Sequence, residues 1–279
     1  MNSKYLFCDP PITELPAENL DFTTENEKCS IFGSFLRSGG VKSKKRPLIL
    51  LLHGIPGHEK NLDLAQALRR TGVNTAFFSY RGCWGSEGEY RISNLVPDTI
   101  AVLRHLFEHS DEYNIDTENV WLLGHSLGGF TALHTLAGHA TPLRGAVLVA
   151  PCDLGMMYEE EKQAFGELID PEDRPGGCLN VPFAGALRKE AESFAAGWRF
   201  SAIAEKLKDY PLCFIGGGTD TITPIRRHIL PLMNELEAKA EYYEINDGHG
   251  FASSRVVLTK TVAEWFEKQI NRTCGDWAV

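Results

Sequence analysis

The chain has 279 residues, 43% of them hydrophobic and 23% charged, the balance of an ordinary globular protein long enough to bury a sizeable core. Its 37 acidic and 28 basic side chains leave a net charge of −9, a field that repels nucleic-acid backbones and anionic membrane surfaces. Seven cysteines stand singly at 8, 29, 83, 152, 178, 213 and 274, without the close pairs of a zinc site or a disulfide framework, and are expected to be reduced thiols, several of them buried.

The N-terminal MNSKYLFCDPP lacks the apolar stretch of a signal peptide, and no run reaches the ~18 residues of a membrane span, so a cytoplasmic protein is expected. LDFTTENEKCSIFGSFLRS then reads as a hairpin of half-polar strands, an antiparallel edge for a larger sheet. The basic run KSKKR at 42–46 is short and reads as a solvated loop. After it come PLILLLHG (47–54), VNTAFFSY (73–80), NVWLLG (119–124), GAVLVA (145–150) and PLCFIGG (211–217), apolar without alternation, as strands covered on both faces are. Helical periodicity fills 59–71, 97–109 and 127–138 between the first four. Strand, helix, strand in repetition predicts an α/β fold with a mostly parallel sheet between helical layers.

Residues 152–209 interrupt the alternation. Ordinary connections run ~2–6 residues, so this charged, Pro/Gly-punctuated segment, helical from 184 to 207, reads as a cap or lid on a single domain spanning 1–279. Its Met156, Met157, Tyr158, Phe165, Phe183, Phe194 and Trp198 are numerous enough to roof a pocket for an acyl or aromatic group, or simply to pack cap on core. A last strand (240–245) and a helix (254–270) close the chain.

The chemistry is expected at WLLGHSLGGF (121–130), where Ser126 falls between a buried strand and a helix with Gly124 and Gly128 two residues to either side. Such spacing suits a turn so tight that side chains at the flanking positions would collide, holding one hydroxyl at the positive end of a helix. A serine needs a base and the base an orienting acid. His249, after the strand 240–245, and Asp220, after the strand ending near Gly216, both fall at carboxyl ends of strands, the edge that carries Ser126. Asp247 is the alternative acid, although its short loop reads better as a cap on the turn around the histidine. His125 is expected packed or hydrogen-bonded beneath the turn, and His105, His109, His134 and His139 have surface or packing roles. Acyl transfer also needs donors for an oxyanion, and the amides of Leu127 and of Ile55, in the glycine-bearing loop LLHGIPGHE, are suitably placed.

HGIPG at 53–57, GHSLG at 124–128, Asp220 and His249, in that order, resemble the α/β-hydrolase superfamily, and SYRGCWGSEG (79–88) is similar to a loop of its dienelactone-hydrolase-like, prolyl-oligopeptidase-like and cinnamoyl-esterase-like branches. The resemblance covers about residues 30–270, with the insertion matching no assignable cap. It implies Ser126 as nucleophile, His249 as base and then acid, Asp220 as orienting acid, and the Ile55 and Leu127 amides as oxyanion hole, with no metal or organic cofactor. Arg81 and Trp84 match a loop near the active-site floor, where an arginine more often ties loops together. The activity implied is that of a serine carboxylesterase on a small-molecule ester, with a serine peptidase or thioesterase as rival, and a non-catalytic ligand-binding homologue as the rival of another class. The sequence leaves a homo-oligomer open.

Overall fold

The computed structural model describes residues 1–138, 142–236 and 240–274, the side chains of 273 and 274 excepted. Strands β1 (Glu18–Asn26) and β2 (Cys29–Arg37) form the expected antiparallel hairpin. Glu27 and Lys28 both take positive φ at its two-residue turn, the backbone twist that matches right-twisted strands. Then follow β3 (Arg46–Leu52), helix α1 (Leu62–Arg70), β4 (Asn74–Phe78), α2 (Leu95–Glu108), β5 (Ile115–His125), α3 (Leu127–Gly138) and β6 (Leu143–Val149). Four helices occupy the insertion: α4 (Leu154–Glu160), α5 (Lys162–Ile169), α6 (Ala186–Trp198) and α7 (Ala204–Leu207). After them come β7 (Leu212–Gly217), α8 (Ile225–His228), α9 (Leu230–Leu236), β8 (Ala240–Ile245) and α10 (Arg255–Cys274).

The strands lie in one sheet in the order β1-β2-β4-β3-β5-β6-β7-β8, parallel from β4 to β8, with β1 and β2 antiparallel at one edge. The apolar runs lack alternation because both faces are covered. Leu48, Leu50 and Leu52 of β3 enter a core shared with α2, α3 and the insertion, while Ile49 and Leu51 enter a second core with α1 and α10. The same division separates Val120 and Leu122 of β5 from Trp121 and Leu123. Each such side chain, fully buried, contributes about 2 kcal/mol.

Several details differ from the sequence reading. β5 starts at Ile115 rather than 119, because Ile115 pairs with Arg46 before a shift in register. The insertion gains α4 and α5 within a stretch whose charges mask their short periodicity, and the expected helix 184–207 is divided between α6 and α7. Met157, Phe165, Leu187 and Ala191 of the insertion belong to the same core as β3 and β5, so these helices pack on the body of the fold. Among the described cysteines, Cys83, Cys152 and Cys213 are buried and all six are free thiols; the Cys274 side chain lies outside the described residues. No helix among the described residues is long and apolar enough to cross a membrane.

Candidate active site

β5 delivers Ser126 to the carboxyl edge of the sheet, and α3 begins at the next residue. The serine takes φ of 57°, a left-handed conformation that side chains normally avoid. The turn tolerates this because its flanks are bare: a Cβ on Gly124 would lie 2.2 Å from the Gly128 carbonyl oxygen, and one on Gly128 would lie 2.0 Å from that of Leu52. The Ser126 amide donates to Val149 O at 2.9 Å, and its carbonyl accepts from Gly129 and Cys152. Its hydroxyl makes no hydrogen bond to another described residue.

His249 follows β8 and Asp220 follows β7, and the structure joins them: His249 Nδ1 donates to Asp220 Oδ2 at 2.8 Å. The carboxylate is held on every side. Oδ1 accepts from the Ile222 and Thr223 amides at 2.8 and 3.0 Å, and Oδ2 also accepts from the Thr223 hydroxyl at 2.8 Å. Burial alone would raise the Asp220 pKa, but the bond to His249, its charge and the Thr223 donors outweigh burial and hold it at about 2. Asp220 is therefore ionised, and its hydrogen bond holds a proton on His249 Nδ1, so that Nε2 is the nitrogen left to exchange one. His249 keeps 17% of its side chain exposed. Two links tie this pair to the serine turn. His125 Nε2 donates to the His249 carbonyl at 3.0 Å, and Thr223 Oγ1 lies 3.2 Å from Ala150 O, one residue past the acceptor of the Ser126 amide.

The loop after β3 closes over the serine. Gly54 comes so near that a Cβ there would lie 2.9 Å from Ser126 Cβ and 3.4 Å from its Oγ. Buried His53 donates from Nδ1 to the Gly54 carbonyl at 2.7 Å, and Trp84 Nε1 donates to Pro56 O at 2.6 Å, so the loop is pinned on both sides of Ile55. Burial pushes the His53 pKa down to about 4, which keeps the ring neutral. The amides of Ile55 and Leu127 donate to no protein acceptor among the described residues. Such amides are fit to receive an anion.

Residues 49–258 match the Alpha/beta hydrolase family. The chain belongs to that family. Rat (Rattus norvegicus) monoglyceride lipase is 32% identical over 140 residues, 49% of this chain and 44% of the relative, so the match spans under half of the lipase's length. Among solved structures, ferulic-acid-bound Est1E of Butyrivibrio proteoclasticus superposes with a TM-score of 0.71 at 17% identity, over 89% of this chain and 99% of the other. The acylaminoacyl peptidase of Pyrococcus horikoshii gives 0.66 at 16% identity, over 90% and 41%. At such identities these two likenesses establish the fold alone.

Within this α/β hydrolase the other candidates separate by contact. Asp247 bonds the Gly248 and Ser253 amides, so it caps its own turn, and Asp220 is the carboxylate on the histidine. His125 lies beneath the turn, its pKa pushed down to about 4 by burial and by the charge of His249. His105 stacks on Phe22 and His134 meets the Trp198 carbonyl; His109 turns back to the His105 carbonyl, and His139 lies outside the described residues. Arg81 is buried in ion pairs with Asp98 at 2.6 Å and Glu27 at 2.7 Å, a tie between loops. In the insertion Met156, Met157 and Phe165 are buried, Tyr158 and Trp198 are half-buried, and Phe183 and Phe194 remain 46% and 51% exposed. Sequence reasoning missed His53 and Thr223. The HG dipeptide could have marked the former, whereas nothing in TDTITP distinguishes one threonine hydroxyl from the next.

Proposed function

We propose that the chain is a serine carboxylesterase cleaving small to medium esters through an acyl-enzyme on Ser126. What carries this reading is the His249–Asp220 hydrogen bond at 2.8 Å, linked through His125 to a serine held at positive φ, with the Ile55 and Leu127 amides unbonded among the described residues. His249 Nε2 takes the proton of the Ser126 hydroxyl as the oxygen attacks the ester carbonyl, and the Ile55 and Leu127 amides receive the oxyanion. Each such donor is worth roughly 3–4 kcal/mol. Collapse of the tetrahedral intermediate breaks the bond to the alkoxy oxygen, to which His249 gives its proton. Water then enters by the same relay, losing a proton to His249 as it attacks the acyl carbon, and the acid leaves as Ser126 recovers its hydrogen. Esters are favoured over amides and thioesters by the name of a similar protein, a monoglyceride lipase.

The experiment is Ser126→Ala assayed on p-nitrophenyl butyrate, with circular dichroism to verify the fold. Turnover is expected to fall by a factor of about 10⁴ or more, and labelling by a fluorophosphonate to vanish. Retained turnover in the folded variant overturns the role of Ser126. Faster cleavage of the matching thioester or anilide by wild-type protein would retain the serine and replace the substrate class.

A further inference from the structure

At the amino edge of the sheet, opposite to Ser126, lies a second site unconnected with the ester chemistry. A cavity of about 350 Å³ opens between the N-terminal segment, the last turn of α1 and the start of β3. Among the described residues that line it are three arginines, Arg46, Arg69 and Arg70, and one acidic residue, Asp9. In a chain of net charge −9 this is a local excess of positive charge in a recess. Arg69 donates to the neutral Asn19 Oδ1 at 2.7 Å, and Arg70 donates from Nε and Nη2 to the Leu6 carbonyl at 3.2 and 2.6 Å. Neither arginine forms an ion pair with a carboxylate among the described residues. Burial pulls the pKa of Arg46 and Arg69 down, and the charge of Arg70 adds to this at Arg69, so an anion placed among them would be stabilised.

Part of the remaining wall is apolar. Pro10, Pro11 and Pro16 line it, and Ile12, 98% exposed, stands at its rim with little to pack against. An exposed isoleucine beside a proline-walled cavity offers a surface for an apolar body, while the arginines offer paired donors for a planar anion. The volume is that of a small-ligand pocket. We propose that this cavity binds an organic monocarboxylate, its carboxylate beside Arg69 and Arg70 and its apolar body along the proline wall. Asp9 in the same lining suits a single negative charge better than the double charge of a phosphate monoester.

The test is calorimetric titration of the full chain with hexanoate at low ionic strength, beside hexanol and hexyl phosphate. Saturable binding is expected for hexanoate, weaker binding for hexyl phosphate and none for hexanol. Arg69→Gln leaves the fold little affected, since the hydrogen bond it loses is an exposed one to Asn19, and it is expected to weaken hexanoate binding by about tenfold. Ile12→Glu, at a side chain with almost no packing to lose, should weaken it likewise by placing a second carboxylate at the mouth. Hexanoate binding unchanged in both variants would assign the carboxylate elsewhere, including the Ser126 site, and overturn the proposal. So would the absence of binding at tens of millimolar, or tighter binding of hexyl phosphate. Because the readout is binding, its outcome is separate from that of the Ser126→Ala assay.

Discussion

Thr223 is the residue that holds Asp220 and His249 together. Its hydroxyl lies 2.8 Å from Asp220 Oδ2 and 3.2 Å from both His249 Nδ1 and the Ala150 carbonyl, so one side chain braces acid, histidine and the end of β6. With the Asp220 pKa held at about 2, below the 3.8 of an unstructured aspartate, the charged carboxylate stabilises the fold. The contribution is complete above the unfolded value and is lost as pH falls through the folded one. Thr223→Val removes one donor to that charge and raises the folded value, so the loss sets in at higher pH. The acid-unfolding midpoint of the variant should therefore move upward, and kcat should fall by about tenfold, the worth of one hydrogen bond to a charged group. Thr223→Ser should restore both; a variant valine enzyme with unaltered kcat and acid midpoint would remove Thr223 from the site. Ser126, Asp220 and His249 were legible in the sequence because each occupies the carboxyl end of a strand, a place that chain order reveals. Thr223 was not, since a hydroxyl acquires its role only when β6, β7 and β8 lie side by side.

Among the strands and helices, legibility followed burial. β3, β5, β6 and β7 are covered on both faces, and the resulting unbroken apolar runs mark them plainly. Helices α4 and α5 are short, and their exposed sides carry a crowd of charges such as Glu159, Glu160 and Lys162, which blurs the period of the buried side. A single carboxylate ties α4 to the far end of the insertion. Asp153 caps α4 by accepting from Met156 N at 3.0 Å, and its other oxygen accepts from the buried Phe200 amide at 3.1 Å, fastening the far end of the insertion to its beginning. Asp153→Ala should cost about 1 kcal/mol for the lost cap and a further 1–3 kcal/mol for the Phe200 amide left buried without a partner. Urea denaturation checks this: a drop under 0.5 kcal/mol, on the order of an ordinary surface change, would mean that the insertion is held by apolar packing alone.

The hairpin edge must be secured to a sheet that runs the other way, and the loop after β4 does so through Arg81. Its guanidinium bonds Asp98 on α2 and Glu27 at the hairpin turn, while Asn26 Nδ2 donates to Asp98 Oδ1 from the same turn. The loop that bears Arg81 also bears Trp84, which grips the Ile55 loop beside Ser126, so one segment serves the edge of the fold and the rim of the site. Position in the loop alone could not separate a structural arginine from a substrate-binding one; the burial of its partner Asp98 does. If the role is structural, Arg81→Ala strands the Asp98 charge in the interior and costs about 3–5 kcal/mol. Removing both partners is then less harmful than the sum of the single changes, because no orphaned charge remains. A substrate-binding arginine would behave otherwise, raising KM while leaving stability nearly intact. Thermal melts and steady-state kinetics on Arg81→Ala, Asp98→Ala and the double variant distinguish the two, and a double variant as unstable as the summed singles would count against the buried pair.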